Sequence, residues 1–344
     1  MSRSYMKALS LGLAVVACLL AAPAGADQIT YDMVTVGNAG NDPDTIGDGF
    51  GAVNYSYQIG KYAVTIGQYT DFLNAVATTD TYSLYNTKMA TDLNVAGISR
   101  TGSSGSYSYS VINNGGDSSN RPINYVSWWD SARFSNWMAN GQPTGAQNST
   151  TTENGAYNVN GMTSGDAPGR NATNANTSAA PTFYIPTENE WYKAAFYSPV
   201  KGGVGSPGYY AYATQSDAAP GNVVGSAANQ ANYNNSVYSV TQSSSYSASQ
   251  NYLTDVGAFT NSESFYGTFD QSGSVYQWND LDGLASSGSS RGLRGGNWSS
   301  GGPFILSSSD SYPAPRRTRT TASVFVSQVR SVAPPPSRRS TRTG

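Results

Sequence analysis

The side chains in this sequence with chemistry to offer are carboxylates, phenols and amides. Twenty-one Asp and Glu, 25 Tyr and 6 Trp are spread over 344 residues, whereas histidine is absent and Cys18 is the only cysteine. Ser-His-Asp and Cys-His arrangements cannot form, and neither can zinc or iron centres built on imidazole. Cys18 sits in an apolar N-terminal stretch, so the chain beyond it has no disulfide, no thiol nucleophile and no thiolate metal site. Carboxylate chemistry, oxygen-ligated cations such as calcium, and binding through aromatic and amide groups remain within reach.

Three helices stand out among the elements that must position these groups. Thr65 with Gln68 three residues later forms a capping box, followed by Tyr69, Phe72, Leu73 and Val76 at helical spacing. Ser127 with Asp130 starts a second helix, with Phe134, Trp137 and Met138 on one stripe and Gly141 ending it. Thr187 with Glu190, just after Pro186, starts a third that carries Trp191, Ala194 and Ala195. Aromatic residues at this spacing fill a core before they line a ligand box. Strand-like runs occur at Tyr55–Ile59 and Phe183–Ile185, and long polar loops are expected at about 100–120, 141–180 and 198–250. Loops of that length point to a fold dominated by irregular structure.

The N-terminus has the plan of an export signal. Arg3 and Lys7 precede the apolar run Ala8–Leu20, and Ala24-Gly25-Ala26 offers a small-residue cleavage site before Asp27. Residues 1–26 are thus expected to be a signal peptide, placing the protein in the periplasm, in the medium or at the cell surface. A lipoprotein anchored through Cys18, which follows Val15-Val16-Ala17, is the minor alternative. No later segment is apolar enough to span a bilayer. Residues 27–310 carry 10 basic and 21 acidic side chains, a balance that argues against nucleic acid as partner.

Four segments in order resemble the formylglycine-generating-enzyme (sulfatase-modifying-factor) family. They are Tyr57–Thr65 leading to Phe72-Leu73-Asn74, Arg121–Trp128, Ile185–Trp191, and Tyr266–Asp270 through Gln277-Trp278 to Arg291–Trp298. The resemblance implies a mixed α+β fold akin to C-type lectins, loop-rich and with little regular secondary structure. It also implies an oxidase that converts a substrate cysteine to formylglycine with two copper-binding thiols, four and nine positions after a Gly-Gly pair. Counted from Gly296, those positions are Ser300 and Ile305. Neither suits Cu(I), which takes soft thiolate ligands, so copper is not expected. The histidine-ligated iron of the related sulfoxide synthases is ruled out by composition. The family's calcium sites correspond to Asp270, the carbonyls of Gly273 and Val275, and Gln277, with a second at Asn232 and the Tyr233 carbonyl. The usual run Gly-Asn-Val-Trp-Glu-Trp reads Gly273-Ser274-Val275-Tyr276-Gln277-Trp278, so a glutamate ligand has become an amide.

The expected family ending, Gly-Phe-Arg-Val-Ala, is absent in frame. Residues 311–344 hold seven Arg and no acid. Codons shifted by one base across Ala322–Gln328 permit Ser-Ile-Gly-Phe-Arg-Val-Ala-Ser, and Pro315–Thr321 permit an acidic loop before it. A base lost near Tyr312 accounts for both, which makes the tail an out-of-frame, disordered addition that leaves a neighbouring strand edge bare. The alternative is a genuine, solvated Arg/Pro-rich tail.

The expected product is an exported sulfatase-modifying-factor-like domain over 27–310. It is expected to be a non-catalytic pseudoenzyme that binds a glycan or an envelope protein through its loops, or has a structural role in the envelope. The alternative is a formylglycine-generating oxidase acting on a sulfatase cysteine.

Overall fold

A computed structural model describes residues 28–45, 49–280 and 290–310, together with the strand backbones at 312–315, 322–323 and 327–328. The expected signal peptide with Cys18 lies outside the described residues, as does most of the tail. Strand β1 (Met33–Val36) pairs antiparallel with β2 (Tyr57–Gly60), Val36 opposite Tyr57. Helix α1 (Ile66–Val76) follows directly. Its Thr65 hydroxyl accepts from the Gln68 N–H at 3.2 Å while the Gln68 side chain accepts from the Thr65 N–H at 3.0 Å, the reciprocal cap predicted by the spacing. Thr65→Ala removes one half of that cap, with an expected loss of about 1 kcal/mol in urea unfolding.

Residues 100–120, expected to be loop, contain a hairpin. After the short α2 (Lys88–Thr91), strand β3 (Ile98–Thr101) pairs with β4 (Ser108–Val111). The Ser-Tyr-Ser-Tyr-Ser alternation has the strand period of two, with Tyr109 buried and Ser108 and Ser110 exposed. Serine richness conceals that period, because small polar residues on an outward face look like loop composition.

Helix α3 (Trp128–Ala139) carries the second predicted capping box, and all twelve of its residues are buried rather than one stripe of them. Strand β5 (Phe183–Tyr184) precedes α4 (Glu188–Phe196), which carries the third capping box, and β6 (Tyr197–Ser198) pairs with β7 (Gly208–Tyr209). Strand β8 (Tyr276–Asn279) pairs antiparallel with β9 (Ser290–Arg294), Trp278 opposite Leu293. A 3₁₀ turn spans Pro303–Leu306.

The predicted aromatic core is present. Tyr69, Phe72, Phe134 and Trp137 lie between α1 and α3, with Phe72 edge-on to Phe134 at 5.2 Å. A second cluster joins Tyr57 and Ile59 to Trp191 and Phe196, and a third gathers Trp128, Trp129, Tyr157, Trp278 and Leu293. Short strands and three capped helices among long, well-bonded loops make this a loop-rich α+β fold. Among the described residues, no helix is long and apolar enough to cross a membrane.

Three short strands fall in the segment beyond residue 310. Strand β10 (Tyr312–Pro315) pairs antiparallel with β9, β11 (Ala322–Ser323) parallel with β8, and β12 (Ser327–Gln328) antiparallel with β5. Whereas a neighbouring strand edge is expected to be bare, β8 and β9 each have a backbone partner from this segment. Pairing of this kind uses main-chain groups that every residue except proline supplies in full, so it bears little on the reading frame.

Candidate functional site

The loop entering β8 holds four of the residues singled out from the sequence. Asp270 adopts a left-handed backbone (φ 61°), and its Oδ2 accepts from the Gly257 N–H at 2.7 Å. Burial pushes its carboxyl up to about 6 against the pull of that one N–H. The Gly273 carbonyl accepts from the Val275 N–H at 2.9 Å, closing a tight turn around Ser274. Gln277 is fully buried on β8. Its Oε1 accepts from the Trp191 indole N–H at 2.7 Å, and its Nε2 donates to the Asp270 carbonyl at 2.8 Å.

The second expected site lies against the first. Asn232 and Gly273 form a parallel bridge, and the Ser274 N–H donates to the Asn232 carbonyl at 2.7 Å. The Asn232 side chain donates to the Tyr252 carbonyl, away from that contact. The Tyr233 carbonyl accepts from Asn222 Nδ2 at 3.2 Å and from the Ser239 hydroxyl at 3.1 Å.

Ser300 and Ile305 also converge. A Cβ placed on Gly296 would sit 3.2 Å from Ser300 Oγ and 3.3 Å from the Ile305 carbonyl. The Ser300 hydroxyl is held in a turn, accepting from the Asn297 N–H at 2.9 Å and donating to Asn297 Oδ1 at 3.3 Å. That geometry orders a turn, and it supplies no base to activate an oxygen nucleophile.

Beside this turn stands an aromatic stack that sequence reasoning missed. Trp298 and Tyr252 lie parallel at 4.7 Å, Tyr252 and Tyr246 nearly parallel at 6.0 Å, and Tyr238 leans on all three. Trp298 and Tyr252 are buried, while Tyr246 ends the stack at the surface, 57% exposed, with its hydroxyl donating to Asn94 Oδ1. No local period links these residues. The abundance of tyrosine among serine and asparagine was the only available signal.

The sulfatase-modifying factor enzyme 1-like domain matches residues 51–329 of this sequence. The chain belongs to that family. Solved structures similar to it include the Treponema denticola variable protein 1, at 16% identity over 88% of this chain and 96% of the other, with a TM-score of 0.46. CarF is similar at 17% identity over 87% and 98%, with a TM-score of 0.45. PvdO from Pseudomonas aeruginosa is similar at 16% identity over 87% and 92%, with a TM-score of 0.40. No curated protein matches the chain.

The metals implied by the sulfatase-modifying-factor family can be tested against these residues. At the copper position a hydroxyl already in a turn and an aliphatic side chain stand where two thiolates would be needed, so the set does not fit. At the calcium position Gln277 presents an N–H to the Asp270 carbonyl. The Gly273, Asn232 and Tyr233 carbonyls already accept internal hydrogen bonds. A calcium ion takes six to eight oxygen lone pairs, and this cluster turns a donor toward one of its own oxygens and has three of its carbonyls already accepting internal hydrogen bonds. The donor set does not fit calcium either.

A cavity of about 770 Å³ opens elsewhere, lined by Asn38–Thr45, Tyr197, Lys201 and Ser206–Tyr209. Beneath it the fully buried Lys193 donates to the Asn38 carbonyl at 2.9 Å and faces the Tyr197 ring. Burial lowers its pKa from 10.5 to about 8. Below that pH the folded chain must hold a buried cation that the unfolded chain solvates freely. The unfolded state therefore binds more protons between the two values, and stability climbs as pH rises through that window. Lys193→Met is expected to abolish the climb and to add on the order of 2 kcal/mol at pH 7. Unfolding curves for the two proteins that stay parallel across the window would contradict this.

Proposed function

We propose that this protein is an exported, non-catalytic sulfatase-modifying-factor domain that binds a glycan on the envelope through its loop face. The observation that carries the proposal is the Ser300 hydroxyl closed into the Asn297 turn, in a chain with no histidine and no cysteine after Cys18. Without a thiol pair or an imidazole, neither oxidation of a substrate cysteine nor iron chemistry has ligands. Beside that turn the stack ends at the surface in Tyr246, 57% exposed, whose ring offers a flat aromatic face suited to the apolar face of a sugar. Export rests on the N-terminal pattern Arg3 to Ala26.

The test pairs two assays on the purified mature chain. A glycan array is expected to give signals that Tyr246→Ala abolishes. Incubation of a cysteine-containing sulfatase peptide with Cu(I) and oxygen is expected to yield no formylglycine. An aldehyde product would overturn the non-catalytic reading. Glycan signals indifferent to Tyr246→Ala would move the binding surface elsewhere, and a blank array would leave an envelope protein as the partner to seek.

A further inference from the structure

We propose that the Gln277 carboxamide takes over the role of a bound cation in closing the loop onto β8, so that this chain folds independently of calcium. The orientation of that amide is set by chemistry. An indole N–H can only donate, so the oxygen of Gln277 must face Trp191 and its NH₂ must face the Asp270 carbonyl. Both contacts are short, at 2.7 and 2.8 Å, and Gln277 has no solvent exposure. A carboxylate at the same position would satisfy the indole equally well. Its second oxygen, however, would stand 2.8 Å from the Asp270 carbonyl oxygen, two acceptors in contact with nothing between them. A buried pair of that kind requires a cation or a proton. The amide removes the requirement by supplying the positive end of an N–H.

The surrounding groups are consistent with this. The Asp270 carboxylate turns to the Gly257 N–H, the Gly273 carbonyl to Val275, the Asn232 carbonyl to Ser274, and the Tyr233 carbonyl to Asn222 and Ser239. Most of the oxygens that would surround an ion have found a proton donor within the protein. One amide therefore ties three segments together, α4 through Trp191, the loop through Asp270, and β8 itself.

The experiment is thermal unfolding of the full mature chain in excess EGTA and in millimolar calcium, for the natural sequence and for Gln277→Glu. The natural protein is expected to melt at the same temperature in both. Gln277→Glu is expected to melt roughly 2–6 °C lower in EGTA, the effect of a buried acceptor left unsatisfied in a chain of this size, and to recover in calcium. A calcium-dependent rise in the natural protein would overturn the proposal and needs no variant. So would a Gln277→Glu protein as stable as the parent in EGTA, or one destabilised but unresponsive to calcium.

Discussion

Replacing Glu153 by alanine is expected to lower the free energy of unfolding by about 3–5 kcal/mol, read from urea denaturation. Arg133 leaves α3 into the protein interior, where its side chain has no solvent exposure. Its Nε donates to Glu153 Oε1 at 2.7 Å and its Nη2 to Glu153 Oε2 at 2.9 Å, a two-pronged pair. The Tyr82 ring covers the guanidinium at 4.4 Å. Glu153 also accepts from the Gly161 N–H at 2.8 Å and the Thr152 hydroxyl at 2.9 Å, so it organises the loop that follows α3. Alanine would leave a buried guanidinium charge without its counter-ion, with the Met162 carbonyl as its remaining acceptor, and the Gly161 N–H without its acceptor, which costs more than the pair contributes. The double replacement Arg133→Met with Glu153→Leu is expected to recover most of the loss, because it removes the charge along with its partner. A loss under ~1 kcal/mol for Glu153→Ala would mean that water reaches the guanidinium and that the pair behaves like a surface one.

The contrast between α3 and its sequence pattern explains what was legible and what was not. The starts of α1, α3 and α4 were readable because a capping box is written within four residues, Thr65 to Gln68, Ser127 to Asp130 and Thr187 to Glu190. The Phe134, Trp137 and Met138 stripe was readable for the same reason. That Arg133 and Asn136 are also buried was not, since their partners lie in loops. Glu153 is 20 residues from Arg133, and the Tyr157 N–H that donates to Asn136 Oδ1 is 21 residues away. The positions Ser300 and Ile305 followed from counting after Gly296, and the structure brings them together around that glycine. The Gln277–Trp191 contact spans 86 residues, and no spacing rule reaches that far. It also decided what the change from glutamate to glutamine means. Against the run that the resemblance implies, glutamine in place of a glutamate ligand at position 277 looks like a weakened cation site, whereas in place the amide completes a hydrogen-bond network.

Gly273→Ala is expected to be the most damaging single change in that network, with a loss of about 2–4 kcal/mol. Gly273 sits at φ 88°, where a side chain costs about 1 kcal/mol on conformation alone. An added Cβ would also come within 2.4 Å of the Asn232 carbonyl oxygen, a main-chain atom with no rotamer to retreat into. That oxygen is held by the Ser274 N–H at 2.7 Å, so moving it opens the bridge between the two segments. Ser274 is itself left-handed at φ 64°, and two such residues in succession aim Val275 into the core and start β8 with Gln277 pointing at Trp191. Gly267→Ala separates the two causes. Gly267 has nearly the same φ, 84°, but its Cβ would meet only Val34 Cγ1, at 3.8 Å. The Gly267 variant should lose about 1 kcal/mol, the conformational cost alone, and the excess at Gly273 then measures how firmly the Asn232 strand is pressed against the turn. Equal losses for the two variants would show that this contact yields, and that the loop reaches Gln277 by some other support.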